Sequence, residues 1–266
     1  MDNLKRRLAP IPDAAWTEIE ETAVTTLNAV LAARRVVDFK GPLGYDRDAV
    51  STGRIRKLSE PVFEGVRSAS RIVLPMVEMR VDFDLSIEEL DDLARGAEDA
   101  DMDPVVEAAR TIAMAEDRLV FHGYEAGGIE GLTEACGTAP ALPDDPSDWP
   151  EIIASALDRM RAEGVQGPFA LVVPPDAYTR LQAAVSSTGR RVMDHVVKLL
   201  DGEVVPCRAI DGAAVLSRRG GDFELYVGRD FAIGYSSHDA ERVRLYVEET
   251  LSFRAVGDEA AIALAG

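Results

Sequence analysis

Apolar residues recur every three or four positions between residues 13 and 35, which is the period of a helix with one buried face. Asp13 suits the start of such a helix. The cations Arg34 and Arg35 suit its end, where the helix dipole is negative. We therefore predict one amphipathic N-terminal helix that ends in these arginines. Its apolar positions are Trp16, Ile19, Ala23, Leu27, Val30 and Leu31.

The apolar pattern changes between Gly41 and Pro75. This stretch mixes turn residues, charges and short apolar runs, without a helical stripe. About 35 residues without a core of their own are uncommon inside a compact domain, unless the segment is functional or ordered by a partner. An isolated two-stranded hairpin is only marginally stable in water. We predict an extended arm or hairpin that lies on a neighbouring subunit, with a disordered surface loop as the alternative.

A strand and two helices are predicted after this arm. Residues 77–85 alternate strictly between apolar and charged side chains, as in a half-buried strand. Ser86 and Glu89 have the spacing of a capping box for a short helix that Gly96 closes. A longer helix over residues 103–122 is expected to be central to the domain.

The next part of the chain alternates helices and strands. A proline-rich stretch at 138–150 has the composition of a linker. A helix is predicted over 151–163, a buried strand over 169–173, and further helices over 176–183 and 189–200. This order indicates a compact α/β lobe.

Three strands are predicted near the C-terminus. Residues 215–217 and 223–227 alternate on either side of the turn residues 218–222, which predicts a β-hairpin. A long strand is predicted over 242–256, with a phase slip near Glu249.

The composition is that of a globular chain with strong negative charge. Its 266 residues are 47% hydrophobic, enough for one large domain or two small ones. The formal charge of −18 provides no electrostatic attraction to nucleic acid. No run approaches the roughly 18 apolar residues of a membrane span, and the N-terminus lacks the apolar core of a signal peptide. We expect a cytoplasmic protein without nucleic-acid or membrane partners.

Few residues have the spacing of a catalytic or metal site. Cys136 and Cys207 lie 71 residues apart without a CxxC partner, which fits a reducing compartment and leaves a catalytic thiol as a minor alternative. Residues 127–131 lack the strand-to-helix context of a phosphate loop and are expected to be a turn. We expect solvent or a salt bridge, rather than a metal ion, at the adjacent Glu116 and Asp117. Structural roles are expected for the three histidines, which are His122 at a helix end that suits its charge, His195 and His238.

Six spaced motifs resemble one known family nearly from end to end. The family is the encapsulins, the shell proteins of bacterial and archaeal nanocompartments. The resemblance implies an α+β fold of the HK97 phage-capsid type and a subunit that is not an enzyme. The motifs are LKRRLAPIPDAAWTEIE, RRVVDFKGPLG, ELDDLARG, EDRLVFHGYEAGGIEGL, GPFALVVPPDAY and VLSRRGGDFELYVGRDFAIGY.

The resemblance also implies a division of the chain. The arm becomes the E-loop of the capsid fold, and the rest forms a peripheral domain and an axial domain. The expected divisions are residues 1–40 for the N-terminal helix and lumenal arm, 41–75 for the E-loop, 76–134 with 225–252 for the peripheral domain, and 135–224 with 253–266 for the axial domain.

The resemblance implies two candidate sites. A groove for the C-terminal targeting peptide of a cargo protein would contain Arg34, Arg35, Val37, Asp38, Ile233 and Tyr235. Simple packing of the helix on the sheet is the alternative role of these residues. A pore loop at the five-fold axis would contain Ser186, Ser187, Thr188, Gly189 and Arg190, and would favour small anions or filter by size. Some relatives stack a flavin on a tryptophan where this chain has Glu88, so we expect no cofactor.

The resemblance implies a subunit of a self-assembling icosahedral shell that encloses a cargo enzyme and passes small solutes. The cargo would be a ferritin-like iron-oxidising protein or a dye-decolorising peroxidase, with a role in iron storage or oxidative-stress defence. The chain length favours the smallest shell, a homo-oligomer of 60 subunits with T = 1. The alternatives are a phage or prophage major capsid protein, which shares the fold, and a cysteine hydrolase with Cys136 or Cys207 near a histidine.

Overall fold

The computed structural model describes residues 3–265. The N-terminal helix ends at Val30, and a separate 3-10 turn follows at Ala33–Arg35, so the prediction that the helix reaches the arginines is wrong. The chain leaves the helix axis because the backbone N–H groups of Ala32 and Ala33 donate to Asp117. Asp13 is the first helical residue, and its side chain makes no capping hydrogen bond.

Seven α-helices and twelve strands are found in residues 3–265. The helices are α1 Asp13–Val30, α2 Ile87–Arg95, α3 Asp103–His122, α4 Leu132–Ala135, α5 Trp149–Ala162, α6 Pro175–Ala183 and α7 Val192–Leu200. The strands are β1 Asp38–Lys40, β2 Ala49–Lys57, β3 Ala69–Pro75, β4 Val77–Ser86, β5 Gly137–Ala139, β6 Phe169–Val173, β7 Glu203–Pro206, β8 Ala213–Ser217, β9 Phe223–Val227, β10 Ala232–His238, β11 Arg242–Ala255 and β12 Ala261–Leu264.

The short helix α2 begins and ends where its sequence signals predict. Gly96 closes it in a left-handed conformation with φ of 100°. The predicted capping bond is absent, because Ser86 makes no side-chain bond to the helix start, and Glu89 instead accepts the backbone N–H of Asp101 at 3.0 Å. The long helix α3 covers the predicted residues and stops before Gly123.

Strand β11 is the centre of the first sheet. Leu251 pairs with Val77 of β4 and with Val227 of β9, so β4 and β9 lie on opposite sides of β11. Strand β10 pairs with the other half of β11, opposite β4, and β1 adds to β9 in parallel. The predicted phase slip in β11 is wrong. Its pairing with β4 is continuous from Arg242 to Leu251, and Glu249 lies on the same face as Leu251.

Strand β8 is the centre of the second sheet, in the order β5-β12-β8-β6-β7. The helices α5, α6 and α7 pack against this sheet and against each other. Helix α5 begins with the fully buried Trp149, whose indole N–H donates to the carbonyl oxygen of Pro143 at 2.8 Å. The end of the proline-rich stretch is therefore attached to this lobe.

The strands β8 and β9 do not pair with each other, so the predicted hairpin around residues 218–222 is wrong. Strand β8 pairs with β6 and β12 in the second sheet, whereas β9 pairs with β1 and β11 in the first. Alternation identifies a buried strand face but does not identify the partner strand. Residues 218–222 thus connect two sheets.

The arm is a two-stranded antiparallel ribbon of β2 and β3, as the hairpin prediction expects. Among residues 3–265, neither of the two hydrophobic core clusters includes a residue between 41 and 75. Apolar side chains near the tip are exposed, including Val62 at 85% and Phe63 at 74%. The ribbon therefore projects from the body with uncovered apolar surface.

Two hydrophobic clusters form the body of the protein. One lies between α1, α2, α3 and the near half of the first sheet. The other fills the second sheet with α5, α6 and α7, and extends to the end of α3 and to β9. Among residues 3–265, none of the helices has both the length and the apolar character that a membrane crossing requires.

Candidate functional site

Arg34 is the centre of a charged cluster beneath the turn that follows α1. Its guanidinium donates to Glu116 of α3 at 2.6 Å, to Glu249 of β11 at 2.6 Å and to Asp230 at 2.9 Å. The side chains of Glu116 and Glu249 are fully buried, whereas that of Arg34 is 19% exposed. The cluster therefore fastens the turn to both the long helix and the first sheet.

Burial and the neighbouring Glu116 carboxylate raise the pKa of Glu249 well above its ordinary value. The second carboxyl oxygen of Glu249, Oε2, has no hydrogen-bond partner among residues 3–265. One guanidinium faces three carboxyl groups, so a proton on Glu249 relieves the repulsion between them. The raised pKa of Glu249 therefore reflects both its burial and the crowding of carboxyl groups around a single arginine.

The side chain of Asp117 fastens the same turn by accepting hydrogen bonds from the backbone of the turn. Its carboxylate accepts the N–H of Ala32 at 3.1 Å and that of Ala33 at 2.8 Å, and it lies 3.8 Å from the thiol of Cys207. Burial raises the pKa of Asp117 to about 7. The expectation of solvent or a salt bridge is confirmed for Glu116, which is in a salt bridge. It is wrong for Asp117, which is buried against backbone N–H groups.

The predicted groove residues fall into two groups. Arg34, Arg35, Val37 and Asp38 line a small cavity of about 140 Å³ together with residues of the connection 217–223. Arg35 pairs with Glu203, which also accepts a hydrogen bond from Arg218 at 2.6 Å. Asp38 accepts the backbone N–H of Gly221, so this connection is bonded to a carboxylate of the chain itself.

Ile233 and Tyr235 lie on β10, away from that cavity. Ile233 is buried in the cluster between α1 and α3. Tyr235 donates its backbone N–H to Leu4 at 2.8 Å, and its hydroxyl lies 2.6 Å from Nδ1 of His238. The Arg34 guanidinium lies 4.6 Å from the ring centre of Phe231, which directly precedes β10.

The predicted pore loop is a compact turn that its own hydrogen bonds close. Ser186 exchanges backbone bonds with Arg190 and Gly189, and its hydroxyl lies 3.0 Å from that of Thr188. Gly189 has a φ of 80°, which glycine adopts without strain. The turn borders an open cleft of about 880 Å³ that also contains His195 and Lys198. The helix predicted over 189–200 begins later than expected, since α7 starts at Val192 and residues 189 and 190 belong to this turn.

The structure disfavours a catalytic thiol. Cys136 and Cys207 are both buried, and burial raises the pKa of each, to about 12 for Cys207. The polar neighbour of the Cys207 thiol is Asp117, at 3.8 Å. Both cysteines are therefore poor nucleophiles at neutral pH.

His122 has a structural contact, although not the predicted one. Its Nε2 accepts the backbone N–H of Asp211 at 2.9 Å, and its Nδ1 lies 3.2 Å from the Thr133 hydroxyl. Burial lowers the pKa of His122. The ring therefore acts as a neutral hydrogen-bonding group rather than as a cation at the helix end.

The charged cluster as a whole is missed by motif searching, but its members leave a signal in the sequence. Glu116 follows Ile112 by four residues and precedes Leu119 by three, so it lies on the buried stripe of α3. Glu249 lies on the inward face of β11. A carboxylate in an apolar stripe requires a buried partner, and an unassigned arginine is the natural one.

Comparison with known proteins gives consistent matches. A family model, Linocin_M18, described as "Encapsulating protein for peroxidase", matches residues 1–252. A type 1 encapsulin shell protein of Rhodospirillum rubrum is 50% identical over 272 residues, which cover 100% of this chain and 97% of that protein. A type 1 encapsulin shell protein of Mycobacterium tuberculosis is 46% identical over 265 residues, with 99% of each chain covered.

Solved structures share the fold at low sequence identity. A virus-like particle of Pyrococcus furiosus has a TM-score of 0.71 and 17% identity, with 93% of this chain and 98% of that chain covered. The capsid of Myoviridae phage XM1 has a TM-score of 0.60 and 12% identity, with 87% and 90% covered. The HK97-type capsid fold expected from the motifs is confirmed.

Proposed function

Because the chain belongs to the family of encapsulin shell proteins, we propose that 60 copies of it form a closed T = 1 shell around a cargo enzyme in the bacterial cytoplasm. The observation that carries this proposal is the arm, whose apolar side chains near the tip, Val62 and Phe63, are exposed in the part of the chain that the structure describes. Contacts of the arm with adjoining copies would bury that surface. Closed symmetry repeats each modest contact many times, so ordinary patches suffice for a stable particle.

Microscopy and mass measurement of the purified protein test whether the shell assembles. Negative-stain microscopy should show hollow particles of one size, and native mass spectrometry should give 60 times the subunit mass. A stable species with the mass of one chain, 28.8 kDa, under every buffer condition would contradict the proposal. Particles with another copy number would contradict the T = 1 assignment alone.

We assign a dye-decolorising peroxidase or a ferritin-like iron-oxidising protein as cargo, in oxidative-stress defence or iron storage. The description of the matching family names a peroxidase, which supports the first. Particles purified from the native host should show the absorbance of haem if the cargo is a peroxidase. They should contain bound iron but no haem if the cargo is ferritin-like. Mass spectrometry of the contents identifies the protein, and shells empty of both would overturn the assignment.

The groove between the turn after α1 and strand β10 is the proposed site for the cargo's C-terminal peptide. An extended peptide would contact the partly buried Val37 and Tyr235, while Arg35 and Asp38 supply a charged rim. Arg34 is unsuitable for a test, since its loss would disturb the buried cluster. The double variant Arg35→Ala, Tyr235→Ala should form normal shells with less co-expressed peroxidase inside. Arg208→Ala, an exposed change elsewhere, is the control.

A second control identifies the peptide. The same peroxidase without its C-terminal tail should stay outside the wild-type shell. Equal loading of the full-length enzyme into the double variant and the wild type would contradict the groove assignment and leave the shell function intact.

The turn 186–190 is the proposed lining of a five-fold pore. Arg190 is exposed and makes no salt bridge within residues 3–265, so five copies would present a ring of positive charge. In Arg190→Glu shells loaded with peroxidase, oxidation of an anionic dye should slow relative to that of a neutral dye of similar size. An unchanged ratio of the two rates would contradict the assignment.

A further inference from the structure

Residues 41–48, here called the arm base, are joined to the body by few backbone bonds. The N–H groups of Leu43 and Gly44 donate to the carbonyl oxygens of Val227 and Gly228, both at 2.9 Å. Within residues 3–265 these are the two backbone hydrogen bonds between the arm base and the body. On the other side of the ribbon, a single residue joins β3 to β4. The angle of the arm therefore depends on the side chains at its base.

Arg229 follows Gly228 in the chain and is itself firmly held. Its guanidinium donates to Glu248 of β11 at 2.6 Å and to the side-chain oxygen of Asn3 at 2.8 Å. Its backbone N–H donates to the Thr250 hydroxyl at 2.7 Å, and its carbonyl oxygen accepts the N–H of Thr250 at 3.0 Å. The side chains of Arg229 and Glu248 are 16% and 6% exposed. This cation is therefore fixed to the first sheet.

Tyr45 of the arm base rests on the fixed cation. The Arg229 guanidinium lies 3.9 Å from the centre of the Tyr45 ring, which is within the range of a cation–π interaction. Tyr45 as a whole is half exposed. Within residues 3–265, no salt bridge joins the arm base to the body. The stack of Tyr45 on Arg229 is therefore the charged contact that holds the arm base in place.

The length of the arm multiplies any change of angle at its base. Strand β2 has nine residues, which span about 30 Å at the usual rise per residue. A rotation of about 10° at the base moves the far end of such a strand by about 5 Å. Apolar contacts require heavy atoms within about 4.5 Å of each other. A small rotation of the arm base is therefore enough to separate the arm from a neighbouring copy.

We propose that Arg229 is the positioning residue of the arm, and that its stack on Tyr45 fixes the angle at which the arm leaves the body. The inference rests on the proposed shell function and specifies what makes the shell uniform. The rotation between adjoining copies decides whether an assembly closes. A cation–π contact at a half-exposed ring favours the stacked angle by about two- to fivefold in each copy. A closed shell needs this angle in every copy, so loss of the stack gives incomplete particles and particles of mixed mass.

Variants of Tyr45 separate the ring face from the apolar volume of the side chain. Tyr45→Phe keeps the ring face and should give particles of one mass, as the wild type does. Tyr45→Leu keeps an apolar side chain without a ring, and should give mixed masses in native mass spectra and irregular particles in negative-stain images. The control is Tyr124→Leu, at a tyrosine of nearly equal exposure whose ring carries no arginine in the described part of the chain. Its particles should stay uniform.

Arg229→Lys tests the contact from the other side. Lysine keeps a charge beside Glu248 but lacks the flat guanidinium that stacks on a ring, so this variant should also give mixed masses. The double variant Arg229→Lys, Tyr45→Leu should be no more heterogeneous than either single variant, because both changes remove the same contact. Additive effects in the double variant would overturn the inference.

Melting temperatures distinguish a positioning role from a role in folding. Both Tyr45 variants should melt at the temperature of the wild type, since neither core cluster found in residues 3–265 includes Tyr45. A lower melting temperature of Tyr45→Leu together with mixed particles would assign Tyr45 to the stability of the body and overturn the inference. Uniform particles from Tyr45→Leu would overturn it while the shell function stands. Absence of shells for the wild-type chain would refute the proposed function, and the inference with it.

Discussion

Arg34 joins three parts of the chain that are distant in sequence. It contacts α3 through Glu116, the first sheet through Glu249, and the β9–β10 connection through Asp230. Its guanidinium also lies 4.6 Å from the ring centre of Phe231 and 4.8 Å from that of Phe39. Removal of one partner from such a cluster leaves an uncompensated buried charge, which costs far more than the loss of a surface pair.

We therefore expect Arg34→Ala to lower the free energy of unfolding by about 3–5 kcal/mol. Arg35→Ala, next in the chain and half exposed in its pair with Glu203, should change it by less than about 1 kcal/mol. Guanidinium unfolding of both variants beside the wild type measures the two values. Equal values for both variants would contradict the structural role assigned to Arg34.

Asp117 provides a pH-dependent test. Its pKa is about 7 in the folded protein and near 3.8 when unfolded, so the folded state binds the proton more tightly between these values. Its contribution to stability is complete below about pH 4 and is lost as the pH rises toward 7, by roughly 1.4 kcal/mol for each pH unit. Asp117→Asn cannot titrate, so its stability relative to the wild type should rise across this window.

The measured quantity is the difference in unfolding free energy between the variant and the wild type at pH 5 and at pH 8. The exposed change Asp99→Asn is the control and should shift stability by less than about 0.5 kcal/mol at either pH. A constant difference for Asp117→Asn would show that Asp117 is ionised throughout the range.

At the scale of the elements, the first sheet depends on a close approach across strands β10, β11 and β4. The ring of Tyr246 lies against Gly234 of β10, and the Arg80 guanidinium lies 3.5 Å from the centre of that ring. A Cβ atom on Gly234 would lie 2.1 Å from Cζ of Tyr246. This position therefore requires glycine for space rather than for backbone conformation.

Gly234→Ala should destabilise the protein by about 1–3 kcal/mol, the usual cost of overpacking. Gly137→Ala is the matched control in β5, because a Cβ there would be no closer than 3.5 Å to a neighbour outside its own chain segment. Differential scanning calorimetry should show a lower melting temperature for the first variant only. A similar melting temperature for the two would mean that Tyr246 moves aside without cost.

At the scale of the whole molecule, the body and the arm have separate roles. Both core clusters lie in the body, and within residues 3–265 neither includes a residue of the arm. The connection 218–222 joins the two sheets and is bonded to Asp38. We therefore expect the body to fold without the arm, and we expect the proposed shell assembly to require it.

Ser51 and Val73 pair across β2 and β3, so a two-residue turn can connect them. Replacement of residues 52–72 by Asn-Gly supplies such a turn and removes the outer part of the arm. We expect a folded subunit with a cooperative melting transition that forms no shells. Gel filtration with negative-stain microscopy measures this outcome. Val62→Ser with Phe63→Ser, which keeps the arm length, should weaken assembly without abolishing folding. Shells of normal size from the shortened chain would contradict the proposed role of the arm.

The sequence by itself determined the elements whose signals are local. The strict alternation of residues 77–85, the glycines after α2 and α3, and the absence of a core in residues 41–75 each predict what the structure contains. The order of six motifs identified the family and thereby the capsid fold. The groove, the pore loop and the domain boundaries were carried over from that resemblance and stay predictions.

Tertiary structure alone decided which distant residues meet. Alternation marks one face of β9 as buried, and β8 is buried along its whole length, yet their partners lie in different sheets, because pairing depends on the packing of the whole body. Arg34 and Glu249 are 215 residues apart, and no local rule relates them. Two carboxylates on apolar stripes show that a buried partner must exist, but only the folded chain shows that one arginine serves both.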